Sequence, residues 1–348
     1  MPPLFGGVLK NNMFIIAGIG LNSYKEENLR KIILSGADMI RYNFAYRGLD
    51  ENLKNLIQAR TTIDNLNSST KIIVSLPINK VRLGEFDIKL FSVQEEQTME
   101  FKSANYSPNC NDFIPVDVEK LGEKVEKGQT ITIGDGEVAI RILEIIDADT
   151  IKVQALNNGV IRFRKTFNIH TSIHDSKMLN DYEKIINKTI ELNPDYYSIS
   201  YSTKNNLSKI KEIIQKHNHH PKIIIRLEGQ EAIDNLEEIC NDTFYNLILM
   251  DRGEMGVNLP YEKIGIYQDK IIKTAKKYKK NIVISTQILE STINNYIPCK
   301  SDVTDLTNIV KSKADGIMLC KETVVGKRPS YTISVAKKII ETVTKEIK

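Results

Sequence analysis

Short apolar runs alternate along the chain with longer stretches of helical period. The runs are MFIIAGIG (13–20), DMIRYNF (38–44), KIIVSLP (71–77), YYSISY (196–201), KIIIRLE (222–228), NLILMD (246–251), NIVISTQ (281–287) and GIMLC (316–320). They are continuous rather than alternating, which suits strands buried on both faces. Between them the pattern predicts amphipathic helices at NLRKIILSG (28–36), YEKIINKTIEL (182–192), EKIGIYQDKIIKTAKKY (262–278) and YTISVAKKIIETVTKEI (331–347), with Gly36 stopping the first. Eight strands, each followed by a helix, predict a (β/α)8 barrel of the α/β class. An open doubly wound sheet is the runner-up, and no G-x-G-x-x-G turn favours it. GIG at 18–20 is too short for a phosphate loop and suits close strand-to-helix packing. Right-handed crossovers put every strand's carboxyl end on one face, where ligands bind in a barrel.

The rhythm breaks over residues 85–170. ITIGDGEVAIRILEII and DTIKVQALNNGVIRF alternate with period two, and GDG and NNG are turn signals. We expect a small β-rich domain here, an antiparallel barrel or sandwich, inserted between barrel segments 1–84 and 171–348. An insertion in a strand-to-helix loop hangs over the ligand face and could act as a lid.

Composition narrows the function classes. A net charge of +4, from 48 basic and 44 acidic residues spread along the chain, gives no stripe for nucleic acid or a membrane surface. The Lys-rich stretch 273–280 reads as a solvated helix face. Cys110, Cys240, Cys299 and Cys320 lie far apart without a C-x-x-C pair, so neither structural zinc nor disulfides are expected. No signal peptide is read at the start, no run reaches a membrane span, and the expected setting is cytoplasmic.

Chemistry concentrates at the predicted strand ends. Strand two ends in Arg41, Tyr42, Asn43 and Phe44; strand three runs into Lys80 and Arg82; strand four offers Ser200. Strand five ends in Arg226 and Glu228, and strand six in Asp251, Arg252, Gly253 and Glu254. Strand seven ends in Thr286 and Gln287, and strand eight leads into Lys321 and Glu322. One charge at a strand end is usually a structural ion pair, but so many on one face are costly without a ligand or metal. Glu228 and Glu254 on neighbouring ends repel unless a cation lies between them, and oxygen donors suit Mg2+ or Mn2+. Arg41, Arg82 and Arg226 offer planar forks for phosphate or carboxylate. GEMGVNLP (253–260) could open a short helix whose free N–H groups receive an anion. His217, His219 and His220 read as a solvated helix end, His170 and His174 as surface, and Cys320 as a small buried hydrophobe.

The same segments resemble the pyruvate kinase family. RGEMGVNLP, STQILES (285–291) and IMLCKET (317–323) look like three consecutive signatures of that family. RYNF (41–44) looks like the strand-two signature, and LNNGVI resembles part of its small β domain. The resemblance runs in order over most of residues 13–340. It implies a barrel with a lid, and phosphoryl transfer between phosphoenolpyruvate and ADP with Mg2+ and usually K+. Arg41 matches the arginine on the phosphoryl group. Asn43 matches a K+ ligand and is grouped with Arg82 on the nucleotide side. Glu228 and Glu254 match the metal ligands, the second being Asp in most members. Gly253 and Glu254 match the turn that holds the substrate carboxylate, Thr286 the threonine beside it, and Glu322 an acid near the proton path.

Departures accompany the matches. The family's catalytic lysine is Arg226 here, and the swap is not conservative. The K+ site has Ala45 for serine and Pro77 and Ile78 for an Asp-Thr pair. Lys80 stands where K+-independent members carry Lys, so K+ is not expected to be required. Cys320 and Lys321 replace a serine and a glycine. The family's usual carboxyl-terminal regulatory domain has no counterpart in this sequence, so control through it is not expected. Three readings follow: a K+-independent pyruvate-kinase-like phosphotransferase, a related enzyme with another phosphoryl acceptor or a 2-oxo acid (enolate) substrate, and a non-catalytic binding homologue. A homo-oligomer is compatible with all three.

Overall fold

The structure is a computed structural model that describes residues 13–77, 80–88, 90–134, 136–169, 175–201, 204–217 and 219–347. His170, His174, Ile78 and the first twelve residues lie outside the described set. Two compact units are formed, Met1–Ile78 with Ser176–Lys348, and Asn79–Asp175. The second unit starts earlier than residue 85 because Arg82 and Leu83 already bridge to Thr166 and Val116, and Glu85–Phe86 pairs with Tyr106–Ser107.

The first unit is a closed barrel of eight parallel strands. They are β1 (Phe14–Ile19), β2 (Met39–Asn43), β3 (Lys71–Ser75), β4 (Tyr196–Ser200), β5 (Lys222–Leu227), β6 (Tyr245–Asp251), β7 (Asn281–Ser285) and β8 (Gly316–Leu319). Each pairs with its neighbour in sequence, and β8 closes on β1. The expected helices appear as Glu26–Leu34, Asp175–Thr189, Ile264–Lys277 and Pro329–Glu346. Gly36 after the first has φ of +102°, the left-handed stop that glycine takes freely.

Alternation along each strand divides two cores. One set of side chains, including Ile15, Ile40, Ile72, Ile225 and Ile284, packs against the helix ring. The other fills the barrel interior with Phe14, Ile16, Met39, Ile73, Tyr196, Ile224, Leu247, Leu249, Val283 and Met318. Continuing the interior rows toward the carboxyl ends reaches Arg41 and Asn43, Ser75, Ser200, Arg226 and Glu228, Asp251, Ser285 and Cys320. The interior is thus an apolar plug below and a polar layer above.

The amino-terminal face carries its own device. Asp38, Asp195, Asn246 and Asp315, each at or just before the start of an even strand, accept the N–H of Ile15, Ile72, Ile223 and Ile282 on the preceding odd strand, at 2.8–2.9 Å. A side-chain oxygen replaces the missing ladder partner at four strand starts, which fits the stability role of that face.

The second unit is built on a six-stranded sheet in the order Phe167–Asn168, Thr130–Ile133, Val138–Ile145, Thr150–Ala155, Thr98–Ser103, Ile114–Val116. It is antiparallel except for its last pair. Thr130–Ile133 pairs antiparallel with Val138–Ile145, the neighbours that the GDG signal predicts. The NNG turn does not make a hairpin: Gly159–Ile161 leaves to pair with Phe91–Val93. This unit has its own apolar core, in which the Phe101 and Phe167 rings lie 5.5 Å apart. Among the described residues, no helix is long and apolar enough to cross a membrane.

Candidate active site

The polar layer gathers around Ser75. Its hydroxyl accepts from Arg41 Nη2 at 2.9 Å and from Arg226 Nη1 at 2.7 Å. Arg226 Nη2 donates to the Leu76 carbonyl at 3.0 Å, and Nε lies 3.1 Å from Glu228 Oε1. Arg226 is 1% exposed, so its charge is neutralised inside the barrel rather than by water. Arg41 is only partly covered, and desolvation lowers its pKa.

Glu228 follows β5 on the same face as Arg226. Its Oε2 accepts from the Ser200 hydroxyl. Its carboxyl is pushed up to about 7, chiefly by burial; Arg226 pulls it down, while Glu254 and Asp251 push it up further. Glu254 sits in the first turn of the helix Arg252–Asn258 that follows β6.

Across the mouth, Asp251 accepts the Thr286 hydroxyl at 2.8 Å. Thr286 and Gln287 have φ of +74° and +54°. A β-branched residue in that region stores roughly 1–3 kcal/mol of strain, which the surroundings must hold. Arg252 Nε and Nη2 donate to the Thr286 carbonyl at 3.1 and 2.8 Å, and Nη2 to the Gln287 carbonyl at 3.0 Å. Gly253 makes room: a Cβ there would stand 2.9 Å from Thr286 Cγ2. Glu322 is 1% exposed and accepts from the backbone N–H groups of Cys320, Ile288 and Leu289 at 2.7, 3.1 and 3.3 Å. Burial raises its pKa and those N–H groups oppose the rise. Burial pushes the Cys320 thiol up to about 12, away from the thiolate form that a nucleophile uses.

Residues 10–333 match the family model described as "Pyruvate kinase, barrel domain". The chain belongs to the pyruvate kinase family. It is 28% identical over 335 residues to the pyruvate kinase of Thermotoga maritima, covering 96% of this chain and 71% of that one. It is 28% identical to that of Thermococcus litoralis, covering 94% and 69%. The crystal structure of a pyruvate kinase from Cryptosporidium parvum superposes with a TM-score of 0.80 at 25% identity, over 96% of this chain and 69% of that one. By kinship the protein is a phosphotransferase of the kinase class.

Against this family the sequence-predicted residues fall into two groups. Arg41, Arg226, Glu228, Gly253, Glu254, Thr286 and Glu322 lie at the carboxyl ends of the barrel strands or in the turns that follow. Asn43 is there too, accepting the Ala45 N–H at 3.1 Å. Lys80 and Arg82 belong to the second unit, where Arg82 Nη1 donates to the Arg164 carbonyl at 3.0 Å. Sequence reasoning missed Ser75, which the interior parity of β3 would have revealed, and the grip of Arg252 on Thr286, which had no sequence signal. Of the described histidines, His217 meets Asn187 at 2.9 Å and His219 the Pro194 carbonyl at 3.0 Å.

Among the described residues no group of three or more His, Cys, Asp or Glu is arranged to hold a metal. The donors do fit Mg2+ or Mn2+ held by two carboxylates and completed by substrate and water. Glu228 Oε1 is buried with no hydrogen-bond partner of good geometry, beside two further carboxylates that raise its pKa.

Proposed function

We propose that this protein moves a phosphoryl group between phosphoenolpyruvate and a nucleoside diphosphate, with Mg2+ or Mn2+ and without a K+ requirement. The observation that carries the reading is the convergence of Arg41 and Arg226 on Ser75 beside Glu228. Two guanidinium groups fixed on one hydroxyl, Arg226 buried and Arg41 partly covered, act on a transferring phosphoryl group without reorganising. Glu228 and Glu254 would hold the divalent cation, which supplies charge neutralisation on phosphoryl oxygens. The backbone N–H groups at Gly253 and Glu254 receive the substrate carboxylate, with the Thr286 hydroxyl beside it. Asn43 and Arg82 serve the nucleotide side, and the Lys80 ammonium replaces K+. Glu322 acts through the backbone it anchors. The partners on this reading are small molecules, ADP or ATP among them, in a cytoplasmic setting.

A coupled assay with phosphoenolpyruvate, ADP and Mg2+ or Mn2+ tests this. Pyruvate formation supports it, and none with or without K+ removes it. One observation favours a second reading, a different phosphoryl acceptor or a 2-oxo acid substrate: the Arg226 fork is already engaged by Ser75, Leu76 and Glu228. Screening acceptors with wild type and Arg226→Lys separates the two. A lysine variant that turns over phosphoenolpyruvate faster than wild type would mark Arg226 as a specialisation away from it. Failure to bind Mn2+ in calorimetry would support a non-catalytic homologue.

A further inference from the structure

The turn from Thr286 to Leu289 is held on two sides by opposite charges. Arg252 takes the carbonyls of Thr286 and Gln287, and Glu322 takes the N–H groups of Ile288 and Leu289. Arg252 is itself braced by the helix Lys300–Lys311, where Asp305 meets Nη1 at 2.9 Å and Nη2 at 2.8 Å. Successive carbonyls of an extended strand point to opposite sides, so one guanidinium cannot reach both. The left-handed pair at 286 and 287 turns them the same way. The preceding residue, Asp251, takes the Thr286 hydroxyl, and the following one, Gly253, supplies the space for its methyl group.

We propose that Arg252, braced by Asp305, is a positioning residue. It holds Thr286 in the left-handed conformation that aims its hydroxyl into the barrel mouth. This rests on the reading of Thr286 as a group that meets the substrate. Threonine does not settle in that conformation by preference, and the hydroxyl contact with Asp251 leaves the following peptide free to rotate. The guanidinium fixes that peptide by charge-assisted bonds to its oxygen. A lysine carries its three donors on one nitrogen and does not span the separate positions that Nε, Nη1 and Nη2 of the planar fork reach together.

The test is a cycle in the purified full chain: Arg252→Ala, Arg252→Lys, Asp305→Asn, Thr286→Gly and the double variant Arg252→Ala/Thr286→Gly. Arg252→Ala is expected to lower kcat about 100-fold, the cost of a displaced group in a prepared site, with the nucleotide KM unchanged. Arg252→Lys and Asp305→Asn fall between, and millimolar guanidinium ion restores part of the Arg252→Ala rate. With Gly at 286, where no hydroxyl needs aiming, Arg252→Ala should cost no more than about twofold, the scatter expected of uncoupled sites. Equal losses in both backgrounds overturn the proposal, as does a fall in melting temperature with kcat kept. If wild type transfers no phosphoryl group from phosphoenolpyruvate, the reaction reading fails and a crystal structure of Arg252→Ala decides. Thr286 moved to negative φ supports the clamp, and φ still near +74° overturns it.

Discussion

Arg226 and Glu228, two residues apart at the end of one strand, form an ion pair inside the barrel, with Nε 3.1 Å from Oε1. Alternation puts both on the interior face, and closure of the barrel removes both from water. The pair's value lies in mutual neutralisation, since breaking a buried pair costs about 3–5 kcal/mol while replacing both members costs far less. Above the Glu228 titration, at alkaline pH, Arg226→Met is therefore expected to lower the urea midpoint strongly, and at any pH to abolish phosphoryl transfer. Arg226→Met/Glu228→Gln should recover most of the stability and none of the activity. A double variant no more stable than the single one would remove this account.

Glu228 makes stability depend on pH. Its folded carboxyl titrates near 7 against an ordinary 4.5, so between those values the folded chain keeps a proton that the unfolded chain has lost. The contribution is complete below about 4.5 and is lost as pH rises through about 7. With a chelator present, chemical denaturation should show stability declining over that window, and Glu228→Gln should flatten the decline. Saturating Mn2+ competes with the proton for the carboxylate, so stabilisation by the metal should grow with pH. A wild-type profile unaltered by Mn2+ would count against Glu228 as a metal ligand.

Gly253 is a steric requirement for Thr286. In Gly253→Ala the new methyl group would stand 2.9 Å from Thr286 Cγ2 and 3.4 Å from both Asp251 Oδ1 and Thr286 Oγ1. Thr286 must move, and a shift of that kind in a prepared site costs on the order of 100-fold in rate. We expect kcat to fall with only a small change in melting temperature. Full activity in Gly253→Ala would show that the Thr286 hydroxyl is not needed where it lies.

Lys80 bears on the monovalent cation. Wild-type rates are expected to be equal in K+ and in a tetramethylammonium salt of the same ionic strength. Lys80→Glu should fall in rate without K+ and recover with it. Dependence on K+ in wild type would exclude the ammonium as its replacement.

Much of this was legible in order along the chain. Eight apolar runs separated by helical periods are sufficient for the barrel, because burial on two faces leaves a distinct mark on a strand. The strand-end rule then marks Arg41, Arg226, Glu228 and Glu254 as candidates from their position alone. The insert's edges were less legible, because Arg82, Leu83 and Glu85–Phe86 pair with segments that no local pattern names. The NNG turn misled for the same reason: turn chemistry reports a reversal, and the strand after it chose Phe91–Val93 as its partner.

By itself the sequence determined which residues could carry charge to the ligand face, through strand period and position. Only the tertiary structure decided what they do to one another. Ser75 is shared by arginines 34 and 151 positions away. Four amino-terminal side chains cap neighbouring strands, and Arg252 reaches a turn 34 residues on. Such contacts depend on closure, tilt and the stagger between strands. Those are properties of the assembled barrel, to which a one-dimensional hydrophobic pattern is blind, since it records only which face each residue turns inward.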